Sequence, residues 1–215
     1  MTIRGSKNIS GRKHITKKNY VIHRDEKVLI NNKPGDSGIY THMVKKCFEQ
    51  FDLGLDRWKR LLFMRFDLRP GTTSETNEVM TRLLKRVRYE FGLLGITEFG
   101  YLWCREQGKG EKEHYHLATW LDGDKFRASN SLTPIIQKCW ENIGGEFVSL
   151  KRTYHFVDDH KTRLEAMYRL SYLCKARGKG VREAQTKDYG MSRLTPVETQ
   201  SLAIHNNGDS GGRAA

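Results

Sequence analysis

Apolar side chains recur along this 215-residue chain in two rhythms. Between residues 39 and 53, Met43, Cys47 and Phe51 fall four apart, the spacing of one helix face; Val79, Leu83, Val87 and Phe91 repeat it. The run LLFMRFDLR at 61–69 reads instead as a strand, ended by Pro70-Gly71. Two aromatic-rich runs, 97–106 and 113–121, flank a Gly- and Lys-rich connection and predict a hairpin. A helix near 131–142, a strand pair or extended segment within 146–157 and a helix over about 160–177 complete the pattern. The order strand, helix, hairpin, helix, strand, helix predicts an α+β fold: an antiparallel sheet with helices on one face, close to a ferredoxin-like or RRM-like arrangement.

Charge changes this picture most. Lys and Arg number 38 against 25 Asp and Glu, a net charge of +13, and such an excess favours a polyanionic partner, nucleic acid first, through counterion release. Residues 1–20 carry Arg4, Lys7, Arg12, Lys13, Lys17 and Lys18 and no acid, the composition of a mobile basic arm. The chain thus divides into an arm and amphipathic helix (1–57), a central domain (58–195) and a C-terminal segment (196–215) whose polar tail is expected to be disordered. No apolar run approaches the ~18 residues of a membrane span, and the N-terminus lacks the apolar segment of a secretory signal, so a cytoplasmic protein is expected. Cys47, Cys104, Cys139 and Cys174 lie far apart and read as reduced thiols.

The hairpin carries the first candidate chemistry. In His114-Tyr115-His116 the period of two puts both imidazoles on one face. If the turn centres on Gly110, Glu106 lies opposite His114, and a carboxylate joins two imidazoles as a set able to hold one divalent cation. Glu111 and Glu113 have the opposite parity, and Glu98 is far from the turn. Cys104 shares the metal-facing parity, which leaves a softer zinc site as an alternative.

The last helix carries the second. At 100° per residue Ala166, Met167, Leu170, Leu173 and Cys174 form one apolar arc, while Glu165, Tyr168, Tyr172 and Lys175 fall on the other side. A tyrosine hydroxyl with an ordinary pKa near ~10 needs a cation nearby to act as a nucleophile, and Lys175 can supply one. Arg65 and Asp67 alternate on one face of their strand, where Asp67 can hold a ligand or an arginine in place. The basic run 175–193 can follow a nucleic-acid backbone, and Trp120, with metal-facing parity, can stack a base.

Taken together, Arg65-Phe66-Asp67-Leu68-Arg69, Trp103-Cys104-Arg105-Glu106, His114-Tyr115-His116 and Ser171-Tyr172-Leu173-Cys174-Lys175 resemble the HUH (His-hydrophobic-His) endonucleases that initiate rolling-circle replication. The inovirus-type replication proteins are the nearest resemblance, over roughly residues 58–180, with 56 residues from His116 to Tyr172. The resemblance implies Mg²⁺ or Mn²⁺ held by His114, His116 and a third ligand, Glu106 by register. It also implies Tyr172 as the nucleophile on single-stranded origin DNA, a 5′-phosphotyrosine product and Lys175 beside the reacting oxygen. Tyr168, four residues earlier, matches the spacing of two-tyrosine initiators. With no P-loop in the chain, a host or element helicase would open the duplex. The rival expectation is a noncatalytic nucleic-acid-binding module on the same scaffold.

Overall fold

A strand whose residues are buried at both parities requires cover on both faces of its sheet. Leu61–Arg69 (β5) is such a strand: from Leu61 to Leu68 only Arg65 and Asp67 are less than fully buried. In the computed structural model, which describes residues 14–74, 76–107, 113–179 and 187–197, two helix layers supply that cover. On one face Thr41–Trp58 (α1) and His160–Ser171 (α4) pack against Leu61, Phe63, Leu102, Ala118 and Trp120. On the other, Glu78–Leu93 (α2) and Thr133–Glu141 (α3) pack against Leu62, Met64, Phe66, Leu117 and Leu121. The α+β class and antiparallel sheet are as expected, but the helices cover both faces rather than one.

The sheet has the order β10-β6-β7-β5, where β6 is Gly100–Glu106, β7 is His114–Asp122 and β10 is Tyr189–Met191. The outer edge of β5 is shared by two short antiparallel strands. Glu146–Val148 (β8) pairs with Asp67–Arg69, and Tyr154–Val157 (β9) pairs with Leu61–Met64. The segment 146–157 is therefore not a hairpin of its own; each half completes a different stretch of β5.

Upstream, Ile15–Thr16 (β1) pairs with Ile39–Tyr40 (β4), and Tyr20–His23 (β2) pairs with Glu26–Leu29 (β3). Residues 14–20 of the expected mobile arm are thus tied into structure, while 1–13 and the expected disordered tail lie outside the described residues. Met43, Val44, Cys47, Phe48 and Phe51 of α1 sit in the same core as β5, β6 and β7, so the boundary expected at 57 does not separate two packing units. Trp120 belongs to that core and is not available to stack a base. It lies edge-on to Phe51, and a Cβ at Gly100 would fall 2.0 Å from its Nε1.

Two local devices place the end of α4. Asp159 caps its start, accepting the Thr162 N–H at 2.7 Å in a reciprocal capping box. Ser171 ends it. Its hydroxyl donates back to the Tyr168 carbonyl at 2.7 Å and accepts the Asn31 N–H at 2.8 Å, a local competition that bends the last turn. The helix expected to reach 177 therefore stops at Ser171, and Tyr172–Cys174 continue as a 3₁₀ turn. Among the described residues no helix is long and apolar enough to cross a membrane.

Candidate metal centre

The β6–β7 register sets Glu106 opposite His114, as the turn argument requires, and Cys104 opposite His116; on the other side β5 sets Asp67 opposite His116. Strand parity then turns Glu106, His114, His116 and Asp67 to one face. Donor atoms of Glu106, His114 and His116 lie within 4.8 Å of one another. The Glu106 Oε2 is 3.7 Å from His114 Nε2 and 3.5 Å from His116 Nε2. Two imidazole nitrogens and one carboxylate oxygen, gathered this closely and largely buried, can bind a metal ion.

The atoms behind these donors fix their state. His116 Nδ1 stands 2.6 Å from Asp67 Oδ1, and since a carboxylate only accepts, Nδ1 carries the proton. In the neutral ring the Nε2 lone pair then faces the group, buried and without a hydrogen-bond partner among the described residues. An imidazole held by a carboxylate on its far nitrogen is the usual support of a metal-ligating histidine. Burial would lower the His116 pKa, but the flanking Asp67 and Glu106 carboxylates outweigh it and hold it above the ordinary value. Burial likewise opposes the Glu106 charge, yet His114, His116 and Lys179 keep its carboxyl far below the usual range. Cys104 does not join the group. The donors that converge among the described residues are Glu106, His114 and His116 alone, and burial pushes the Cys104 thiol up to about 12.

Tyr172 enters from the 3₁₀ turn. Its ring meets His116 edge-on with centroids 5.4 Å apart, the Arg65 guanidinium lies 4.2 Å over its face, and Lys175 Nζ is 5.1 Å from its centre. Tyr172 lines a cleft of about 580 Å³ with Asp67, Arg69, His114, His116 and Glu146. Lys175 is also ion-paired with Asp36, Nζ to Oδ2 at 2.9 Å. Tyr168 is half-buried on α4 and does not line this cleft. The expected pair of tyrosines is therefore split: Tyr172 meets His116, with Lys175 over its ring, and Tyr168 does not line the cleft.

A family described as the YagK/YfjJ C-terminal domain matches residues 22–192, most of the chain. The chain belongs to the YagK/YfjJ C-terminal domain family. Comparison with curated proteins and with solved structures gave no match. The YagK/YfjJ match contains Glu106, both histidines, both tyrosines and Lys175, and it begins well before residue 57.

Three residues of this YagK/YfjJ centre act in ways that the pattern of apolar and polar positions did not mark. Lys179 is fully enclosed; its Nζ donates to Glu106 Oε1 and to the Lys175 carbonyl, each at 2.7 Å. In the sequence it belongs to the basic run 175–193, read there as able to follow a nucleic-acid backbone. Residues 175–179 fold back over the end of β6, where the Gln107 N–H donates to the Gly178 carbonyl at 3.0 Å. Gly178 has φ +67°, and a Cβ there would sit 3.2 Å from Glu106 Cβ, so the close approach favours glycine. Asp36, which no motif in the sequence marked, pairs with Lys175. Arg65 shared a face with Asp67, the one usable signal, and it bonds Asp67 at 3.2 Å while stacking on Tyr172.

Proposed function

We propose that the protein is a metal-dependent endonuclease and strand transferase of the HUH kind, which nicks single-stranded origin DNA to initiate rolling-circle replication. The observation that carries this reading is the edge-on approach of Tyr172 to His116, which gathers a nucleophile and a metal-type donor group into one cleft. The mixed nitrogen and oxygen donors suit Mn²⁺, with Mg²⁺ as the second choice. A cation held there supplies charge neutralisation to a phosphoryl oxygen.

The chain's own residues do the rest. The Tyr172 oxygen attacks phosphorus, a new P–O bond forms to the tyrosine, and the bond to the 3′ oxygen breaks. The phenolic proton passes to solvent and the departing 3′ oxygen takes one up. One phosphodiester is exchanged for another, so rejoining needs no ATP. Asp67 holds the His116 tautomer, and Lys175 keeps positive charge beside the phenol. The net charge of +13 draws the strand in. On this reading the protein works in a bacterial host cytoplasm for an inovirus-type or similar mobile element, with a separate helicase.

Labelled single-stranded origin DNA incubated with Mn²⁺ and run on a denaturing gel is the test. The wild type forms a covalent adduct, Tyr172→Phe forms none, and Tyr168→Phe keeps the first cleavage. Nucleotide mapped by mass spectrometry to Tyr168 would overturn the assignment. No adduct with either metal would leave the noncatalytic binding module.

A further inference from the structure

Beyond the donor group, positive charge gathers on the same face with little acid to balance it. Arg65 follows Phe63 at the same parity of β5, and Phe63 pairs with His155 of β9; the Arg65 backbone N–H donates to the Thr153 carbonyl at 2.7 Å. Arg169, three residues before Tyr172, reaches the same place from α4. Its Nη1 donates to His155 Nε2 at 2.6 Å and its Nη2 to the Arg152 carbonyl. The Arg169 guanidinium is thus fixed by neutral acceptors, and the Arg65 guanidinium by the Tyr172 ring and by Asp67, a carboxylate that it shares with His116. Burial, then Arg65 and Arg152, hold Arg169 below the ordinary arginine range, which records the like-charge crowding. Asp67 offsets part of it but is already shared between His116 and Arg65. The Arg65 Nε is buried and has no partner among the described residues. Such a cluster lacks an anion with several acceptor oxygens, and planar arginine forks suit a phosphate.

We propose that Arg65 and Arg169 together form a phosphate subsite beside Tyr172 that clamps one phosphodiester of the bound strand. The Arg65 guanidinium lies over the centre of the tyrosine ring rather than at its hydroxyl, so the clamped phosphate is a neighbour of the one attacked. The subsite rests on the reading above only in taking the ligand to be a polynucleotide. It positions the strand whether or not cleavage follows.

The test uses the full chain in EDTA with a fluorescein-labelled thymidine dodecamer, followed by anisotropy against salt concentration. Each phosphate contact on a single strand contributes about 0.7 to the slope of log K against log salt. Arg65→Ala and Arg169→Ala should each lower the slope by about 0.7, and the double variant by no more, because both residues grip one phosphate. Arg65→Lys and Arg169→Lys keep the charge but lose the fork, so affinity should fall roughly fivefold at unchanged slope. These lysine variants carry the test if an alanine variant fails to fold by circular dichroism. Additive slope losses in the double variant, unchanged binding in the folded variants, or full affinity in the lysine variants would each overturn the subsite. A confirmed subsite with no Mn²⁺-dependent adduct would retire the nickase and keep the clamp. An adduct with unaltered binding in the arginine variants would do the opposite.

Discussion

The two faces of the β6–β7 hairpin are built from neighbouring residues and end in opposite states. On one, Arg105 is buried against Glu113, donates to the carbonyls of Ser74 and Thr76, and stacks near Tyr115; cation and carboxylate are matched. On the other, one residue along each strand, Glu106 meets two imidazoles and Lys179, and a buried histidine nitrogen has no hydrogen-bond partner among the described residues. Both faces hold buried charge, which costs free energy unless paired. The Arg105 face sets one cation against one carboxylate and reads as structure, whereas the Glu106 face brings two imidazole nitrogens and a carboxylate oxygen to one point, beside the cleft that His114 and His116 line. What separates a scaffold from a site is therefore the convergence of metal-type donors on one point, not burial or charge.

The strongest way to break this comparison is to empty the open face. Replacing His114 and His116 together by Ala should abolish the Mn²⁺-dependent adduct while changing strand binding at fixed salt by no more than about threefold, since phosphate contacts are spread over many cations. A double variant that still cleaves in EDTA would end the metal mechanism. Next comes the contrast between the two glutamates. Glu113→Gln should lower unfolding free energy by about 3 kcal/mol, because Arg105 is left buried without its carboxylate, and leave calorimetric metal titration in place. Glu106→Gln should weaken metal affinity by at least about tenfold. The reverse order would break the distinction between the faces.

A finer probe is Asp67→Asn, which keeps the shape behind His116 but removes the charge. Metal affinity should drop about 10- to 100-fold with little change in melting. The smallest effect comes from mild acid, further along the same face. Burial, then Arg169 and Arg152, push His155 down to about 4, against an ordinary value near ~6.5. Its folded pKa is depressed, so the unfolded chain takes the proton first. Stability is full above about 6.5 and is lost as pH falls toward about 4, by on the order of 2 kcal/mol. His155→Gln should flatten that part of the pH–melting profile; an unchanged profile would remove the neutral acceptor that holds Arg169.

Much of the open face was legible because strand parity and hairpin register are local. Six residues between Glu106 and Glu113 suffice to align Glu106 with His114, and the alternation of Arg65 and Asp67 put both on the metal side. The placement of the helices was legible in principle. LLFMRFDLR is apolar at both parities, which calls for cover on two faces. The helix end at Ser171 depends on a hydroxyl that bonds both backward and to Asn31, 140 residues away in sequence, and no local period encodes that. Lys179 was illegible for a similar reason. A lysine in a Gly-rich basic run looks solvated until the chain closes it over a carboxylate 73 residues earlier.

The strap formed by residues 175–179 closes over one flank of the centre. Gln107 gives its N–H to Gly178 and Glu106 gives one oxygen to Lys179, so backbone walls off the carboxylate on the β6 flank. Among the described residues the cleft opens along the β5 edge, where Asp67, Arg69 and Glu146 border it. A polynucleotide bound as proposed need not be threaded through the fold; it can be laid down sideways and lifted off along the same path. The two ends made by a cut would then stay on one side of the molecule, the arrangement that a later joining step requires.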